Sequence, residues 1–198
     1  MRSLALAFVL LCSVIAAAQS IRPAKQLDDN HFELDFPRHG EVRMHIQPSA
    51  LQISGSNEDK IKVHFWSNRE DTPDVKVRLE ASGNTANVKV SDGPQNDFHI
   101  EIQIPKKSDL YLRIMAGKVD IDNVAGDKNI ELSAGELDIQ VGDASDYSEV
   151  EASVYTGDLN ASPFGVSKGG LFRSFHQKGP GEYRLHAHVG AGQIRFVP

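Results

Sequence analysis

A row of acidic side chains is the strongest candidate for chemistry in this sequence. Asp120 and Asp138 occupy the same place in two similar segments, GKVDI and GELDI. If the segments lie side by side, the carboxylates repel each other, and a bound cation would relieve the repulsion. Paired carboxylates are also the acid and base of glycoside hydrolases. Equivalent segments extend the row to a candidate ligand surface of Asp120, Glu136, Asp138, Asp158 and Asn160.

The acidic row does not identify one chemistry. Calcium-binding solenoids carry Gly-Gly-x-Gly-x-Asp turns, which this sequence lacks. Lys118 and Arg195 belong to the same set of segments and can neutralise carboxylates without a metal. A polysaccharide-cleaving enzyme needs a long groove, and the repeat region is short for one. We therefore predict no catalytic residue, no cofactor and no metal, and we interpret the row as a surface for a ligand.

Histidines form a second candidate group. His186 and His188 flank Ala187 and would share one face of a strand, about 7 Å apart, close enough to bind one metal ion with a third ligand. His176 could supply that ligand, but no fixed spacing supports it, and exposed strand positions tolerate histidine. Covalent catalysis is not predicted either, because the sequence lacks a Gly-x-Ser-x-Gly motif and its only cysteine is Cys12.

The elements that would position these side chains are β-strands. Apolar and polar residues alternate almost everywhere after residue 30, for example over 42–46 and 100–104. This period of two is typical of strands with one buried face. Clusters of Gly, Pro, Asn and Asp separate the alternating runs and favour turns. The sequence therefore predicts an all-β chain.

Short glycine-led repeats dominate the C-terminal half. Four segments of the form Gly-x-apolar-x-apolar begin at Gly117, Gly135, Gly157 and Gly192, and a short strand precedes each of them. A unit this small cannot bury its own apolar face and must stack on copies of itself. The pattern predicts a parallel β-solenoid (β-helix) with glycine at the corners of its coils. An antiparallel sandwich of short strands is the alternative for this half.

The predicted stack has two further consequences. Like residues of successive coils form inward columns, of which one is Val119, Leu137, Leu159 and Ile194. The longer interval before the last repeat is rich in Gly, Pro and Ser, which predicts a projecting loop at 162–181. The N-terminal half, 31–109, has less regular repeats and is predicted to be either a wider coil or a capping sheet.

The repeats resemble a known family. Residues 98–104, followed by PKKSDLYLRIMAGKVDIDNVAGDKNIELSAGELDIQV, are similar to the bacterial exported domain of unknown function that is labelled "putative adhesin". The upstream segment ALQISGSNEDKIKVHFW resembles an early element of that short-strand Gly-repeat family, and the resemblance covers roughly residues 40–197. It implies a right-handed parallel β-solenoid on a bacterial surface or in the periplasm. The label describes a fold and assigns no activity.

The N-terminus predicts export. Residues 1–18 contain Arg2, an apolar block and an Ala-x-Ala end at Ala18, which is the form of a secretory signal peptide. Lipidation at Cys12 is the alternative, although Leu11 before it is larger than lipoprotein processing requires. Residues 19–30 are predicted to be a flexible lead-in, and 31–198 a single β domain divided into 31–109 and 110–198. No later apolar run is long enough to predict a transmembrane segment in the mature chain.

Charge and composition bound the function. The net charge is -6, and Lys and Arg do not cluster, so nucleic acid is not a predicted partner. Together these features predict an exported, non-enzymatic protein, secreted, periplasmic or on the cell surface, that binds an unknown macromolecule such as a surface glycan or envelope component. The alternatives are a carbohydrate-active enzyme that uses the acidic row and a structural envelope protein without a discrete ligand.

Overall fold

Fourteen strands form one sheet in the computed structural model, which describes residues 21–69 and 74–198. The strands are β1 (Arg22–Pro23), β2 (Lys25–Asp28), β3 (His31–Asp35), β4 (Glu41–Ile46), β5 (Ser49–Ser56), β6 (Lys60–Ser67), β7 (Lys76–Ser82), β8 (Thr85–Ser91), β9 (Phe98–Pro105), β10 (Asp109–Asp122), β11 (Lys128–Gln140), β12 (Tyr147–Ala161), β13 (Val166–Lys178) and β14 (Tyr183–Val197). Two short 3₁₀ turns, Ala144–Asp146 and Ser162–Phe164, precede β12 and β13. The prediction of an all-β fold is confirmed.

The sheet is mixed. Strands β4 and β5 both run parallel to β10, which pairs with β4 through its first half and with β5 through its second half. Strands β8 and β9 continue this parallel arrangement, whereas β6 and β7 pair with them antiparallel. On the other side of β10 the order is β11, β14, β12 and β13, the last pair antiparallel. The sheet curves into a nearly closed barrel.

The prediction of a right-handed parallel β-solenoid is wrong. A solenoid adds its coils in chain order, but here β14 lies between β11 and β12 and separates two segments that were expected to be neighbours. Antiparallel strands also flank the parallel ones at both ends of the sheet. The glycine repeats require bent strands that lie in register, and that requirement is met equally well in a mixed barrel.

The repeated glycines bend the long strands. Gly117 has a φ of 141° and Gly135 a φ of 134°, a region that residues with a side chain rarely adopt. Within β10 the buried positions change from even numbers, ending at Ile114, to odd numbers, starting at Val119. Each bent strand therefore turns an apolar row toward the core on both sides of its glycine.

The core consists of rows of apolar side chains from neighbouring strands. One row runs from Leu51 through Val119, Leu137 and Ile194 to Leu159, and each of these residues is at most 1% exposed. The members are those of the predicted column with Leu51 added, but their spatial order follows β14 and not the chain. Burial of such large aliphatic side chains stabilises the fold by about 1.5–3 kcal/mol each.

One inward position carries a charge. Lys128 lies in register between Leu110 and Leu185, both buried, and is itself only 2% exposed. Its Nζ donates to the carbonyl of Gly126 and to the hydroxyl of Tyr147, both at 3.1 Å. Loss of hydration lowers the pKa of Lys128 to about 8, although nearby carboxylates act in the opposite direction. A desolvated ammonium group therefore lies within an aliphatic row.

The N-terminal predictions meet the structure only in part. The predicted signal peptide, 1–18, lies outside the described residues. The predicted lead-in, 19–30, contains β1, which pairs with β7, and β2, which pairs with β3. Over residues 21–69 and 74–198 no helix has the length and apolar character to cross a membrane.

The predicted projecting loop at 162–181 is instead largely β13. This strand pairs with β12 over its whole length, and among the described strands it has no second neighbour. Its Lys168 and Arg173 lie directly opposite the buried residues Leu159 and Val154, so they are on the inward face of the sheet, where Lys168 is exposed and donates to the carbonyl of Ser174. Charges that face inward at an edge strand oppose the docking of another strand, because docking would bury them.

This arrangement predicts that the two cations keep the protein from associating through its edge. We expect Lys168→Val/Arg173→Val to raise the oligomeric fraction several-fold relative to the unmodified protein, measured by size-exclusion chromatography with light scattering. The matched control is Arg43→Val/Lys89→Val, because these exposed cations lie on strands that have neighbours on both sides at these positions. Equal oligomeric fractions in the two variants would contradict a special role of the edge.

Candidate functional site

The predicted acidic residues lie on one outer surface of the sheet. This surface, which we call the polar face, is formed by β9, β5 and the second halves of β10, β11, β14 and β12. Its central row in spatial order is Glu101, Gln52, Asp120, Asp138, Arg195 and Asn160. The neighbouring row is His99, Ala50, Lys118, Glu136, Gln193 and Asp158. The residues between them are buried, so alternation turns both rows outward.

The strand order changes how the predicted residues are grouped. Asp120 and Asp138 lie directly opposite each other on β10 and β11. Because β14 is the next strand, Arg195 separates Asp138 from Asn160. In the neighbouring row a glutamine of β14 likewise separates Glu136 from Asp158. The polar face is therefore a row of mixed charge and not a continuous acidic ladder.

Arg195 neutralises one of the two paired carboxylates. Its Nε donates to one oxygen of Asp138 at 3.0 Å, and a terminal nitrogen donates to the other oxygen. This bond to Asp138 raises the pKa of Arg195. The side chain of Asp138 is only 14% exposed, so the pair is held in a fixed position. Both oxygens of Asp138 are occupied by a cation that the chain itself supplies.

Asp120 differs from its neighbour. Partial burial raises the pKa of this carboxyl, Lys118 at 3.4 Å opposes the rise, and the charge of Asp138 adds to it. Asp120 is therefore easier to protonate than an isolated aspartate. Lys118 and Arg195 together provide the compensation that a bound cation would provide in an unbalanced acidic row.

A stack of four rings continues the polar face onto β6 and β3. His31 and His64 lie 4.0 Å apart between ring centroids, with planes at 5°. Trp66 lies 5.1 Å from His64 on one side and 5.1 Å from His99 on the other. The antiparallel pairings of β3 with β6 and of β6 with β9 bring these side chains together. We call His31, His64, Trp66 and His99 the ring stack.

The sequence does not indicate the ring stack, because His31, His64 and His99 have no regular spacing along the chain. Its one local signal is the outward pair His64 and Trp66 on a single strand. The other two members come from β3 and β9, which are distant in the chain. Their proximity depends on strand pairing, which the alternation of one segment does not encode.

A hollow lies beside the ring stack at the corner of the polar face. Its volume is about 450 Å³, and its lining includes Pro48, Ala50, Asn96, His99 and Gly117. In the row that contains His99, the small residue Ala50 lies at the hollow, whereas the longer side chains of Lys118 and Glu136 follow on the next strands. The hollow therefore opens on a ring of the stack.

The histidines considered as metal ligands lie elsewhere and have separate partners. His186 and His188 are on the outer surface of β14, and His176 is on β13. Their hydrogen-bond partners are Glu151 at 3.2 Å, Ser153 at 2.8 Å and Glu149 at 2.8 Å, respectively. Within the described part of the chain, no group of three or more His, Cys, Asp or Glu side chains is placed to hold a metal ion.

Comparison with solved structures shows that the fold is shared. A structure described as a putative cell adhesion protein from Clostridium sporogenes aligns with a TM-score of 0.52 and 14% identity, covering 88% of this chain and 99% of that chain. A second, described as a putative adhesin from Bacteroides fragilis, aligns over 91% of this chain and 98% of its own with 9% identity and a TM-score of 0.33.

Sequence comparison adds no family. No family model and no curated protein matches this sequence. The fold shared with the Clostridium sporogenes protein is consistent, at that coarse level, with the resemblance to a putative-adhesin domain. Membership in the short-strand Gly-repeat family is not supported by any family model. This chain shares its fold with the Clostridium sporogenes protein.

Proposed function

We propose that this chain is an exported, non-enzymatic binding module of the adhesin type. The observation that carries the proposal is the central row of the polar face, which runs across six neighbouring strands and mixes carboxylates, amides and a guanidinium. A polar surface of this length fits a macromolecule better than an isolated small molecule. The ligand is a surface glycan or another envelope component.

Two further observations support this proposal. The fold is shared with a protein described as a putative cell adhesion protein. Arg195 occupies both oxygens of Asp138, so one of the two paired carboxylates is held in place and is not a free reactant, which favours a binding role over a catalytic one. The signal-peptide form of residues 1–18 supports export.

The proposal is tested by binding of the mature chain to immobilised envelope polysaccharides and surface proteins. We expect Asp120→Asn/Asp138→Asn to weaken binding at least 10-fold, because the charge pattern of the central row changes. The matched control is Glu131→Gln/Glu151→Gln, which removes two carboxylates from outward positions on the first halves of β11 and β12. Melting temperatures of both variants verify that the fold is retained.

The outcomes separate the candidate functions. Equal loss of binding in both variants would contradict a specific role of the polar face. Binding of the unmodified protein to none of the envelope components would favour a structural envelope protein without a discrete ligand.

A second candidate, a carbohydrate-active enzyme, is favoured by one observation. Asp120 has a raised pKa and lies directly opposite a second carboxyl group, that of Asp138, and glycoside hydrolases use a pair of carboxyl groups to cleave glycosidic bonds. The engagement of Asp138 by Arg195 opposes its use as a nucleophile. Release of reducing ends from a bound polysaccharide, abolished by Asp120→Asn, would establish the enzyme in place of the binding module.

A further inference from the structure

The ring of His99 is held in one orientation. One of its faces stacks on Trp66 at 5.1 Å between centroids, with an angle of 9° between the planes. Its Nε2 lies 3.2 Å from the carboxylate of Asp97. Asp97 is fixed in turn, since it accepts hydrogen bonds from the backbone and side-chain nitrogens of Asn68, both at 3.2 Å. The ring is therefore preorganised, and binding to it would require little further ordering.

The second face of His99 is open to the hollow. It points toward β5, where the residue in register is Ala50. The next residue in this row is Lys118, whose Nζ lies 3.4 Å from a carboxylate oxygen of Asp120. A methyl group thus occupies the place where a longer side chain would cover the ring. The volume of about 450 Å³ lies within the range of about 300–1,000 Å³ of small-molecule sites.

Polar side chains line the hollow beside the open ring. Gln95 and Asn96 contribute amides, and Asp97 contributes a carboxylate. Amides and carboxylates can donate to or accept from adjacent hydroxyl groups. An open aromatic face bordered by such groups matches a pyranose, which has C–H groups on one face and hydroxyls around its rim. The carboxylates of Asp97 and Asp120 disfavour an acidic sugar, because like charges repel.

We propose that the hollow binds one neutral pyranose unit of a glycan, with the C–H face of the sugar on His99 and its hydroxyls toward Asn96 and Gln95. This inference rests on the proposed function, since it names the ligand class of the polar face. The central row begins beside the hollow, so the rest of a glycan chain can follow that row across the strands.

The test uses the mature chain and methyl α- and β-glycosides of glucose, galactose, mannose and N-acetylglucosamine. Binding is measured by NMR titration of the histidine imidazole signals. We expect at least one glycoside to shift the signal of His99. Ala50→Leu, which fills the hollow without removing the ring, weakens that binding at least 10-fold. His99→Ala, whose binding is measured by titration calorimetry because the reporting signal is lost, does the same.

The matched control is Ser54→Leu, because Ser54 is an outward position on the same strand but outside the hollow. It leaves the affinity for the glycoside within about 2-fold of the unmodified protein, the ordinary scatter for a residue without a contact. Equal affinity of the Ala50→Leu and unmodified proteins overturns the inference, and so does an unshifted His99 signal with every glycoside. If envelope components still bind in either case, the proposed function stands without this site. If a glycoside binds in the hollow but no envelope component binds, the inference stands and the proposed function is contradicted.

Discussion

Gly135→Ala is expected to lower the free energy of unfolding by about 4 kcal/mol or more, the range reached when buried packing has to rearrange. A Cβ at this position would lie 1.9 Å from the carbonyl oxygen of Gly117 on the neighbouring strand. The φ of 134° is also unfavourable for any residue with a side chain. Neither strand can shift alone, because the next strand is equally close: a Cβ on Gly192 would lie 1.8 Å from the carbonyl oxygen of Gly135.

The expected change in melting temperature follows from the size of the chain. For a domain of about 150–250 residues, 1 kcal/mol shifts the melting temperature by about 2–4 °C, so Gly135→Ala lowers it by about 8–16 °C. Gly142→Ala is the matched control. Gly142 also has a positive φ, 65°, but a Cβ there would have no atom within 4 Å. Gly142→Ala therefore measures only the cost of placing a side chain on a left-handed backbone, which is about 1–2 kcal/mol.

The difference between the two variants measures the close approach of the strands together with the extra cost of a φ of 134°, because a φ of 65° lies in the left-handed region that residues with a side chain can enter. Thermal unfolding followed by circular dichroism gives both values. If Gly135→Ala and Gly142→Ala lose the same stability, then the corner needs only an unusual dihedral angle, and the strands are not packed against each other at the glycines.

These glycines also show how much of the fold the sequence predicts. Their equal spacing from the apolar residues that follow them correctly predicts which residues share a row, as with Val119 and Leu137. The repeat is identical whether a strand is added in chain order or inserted between two others, so it does not encode the position of β14. The direction of each strand relative to its neighbours is also undetermined, because alternating apolar and polar residues are compatible with parallel and antiparallel pairing alike. The solenoid prediction was wrong on these two counts.

The 162–181 segment shows a second limit. Its glycines, serines and proline indicate a loop by composition, yet β13 forms along β12 with twelve residues in register. At an edge, one side of the strand makes all the contacts, so a strand with few apolar residues is sufficient. Phe175 is the only buried side chain of β13. Local composition therefore underestimates strands whose stability comes from pairing with a neighbour.

The candidate site, too, could be predicted from the sequence only in part. Alternation placed Asp120, Asp138 and Glu136 on one outer surface, because that property is local to each strand. The insertion of Arg195 beside Asp138 and the assembly of the ring stack depend on which strands are neighbours. The sequence of one strand shows which of its residues face outward, but only the tertiary structure shows which strands lie beside it.

Lys128→Met is expected to raise the free energy of unfolding by about 1–2 kcal/mol at neutral pH, since replacing a buried charge with an apolar side chain of similar size is often stabilising. Lys128 lies in an aliphatic row between Leu110 and Leu185. The hydroxyl of Tyr147, which accepts from the lysine, keeps its own hydrogen bond to the carbonyl of Val141 at 3.3 Å. The substitution therefore does not leave that hydroxyl without a partner.

Chemical denaturation of the full mature chain measures this effect. Lys89→Met provides the control, because Lys89 is exposed on β8, and its replacement changes stability by no more than about 0.5 kcal/mol. A Lys128→Met protein less stable than the unmodified one would show that the two hydrogen bonds of the ammonium group outweigh its desolvation.

The pH dependence gives an independent measurement of the same desolvation. The pKa of Lys128 is about 8 in the folded chain and 10.5 in its ordinary state, so between these values the unfolded chain binds more protons. Stability must then rise with pH, and this group contributes about 2 kcal/mol between about pH 7 and about pH 9.5. Burial raises the pKa of Tyr147, which opposes the trend only above its ordinary pKa of 10.0. The rise is expected in the unmodified protein and in Lys89→Met but not in Lys128→Met. An identical pH profile in all three proteins would mean that the ammonium group of Lys128 remains hydrated in the folded state.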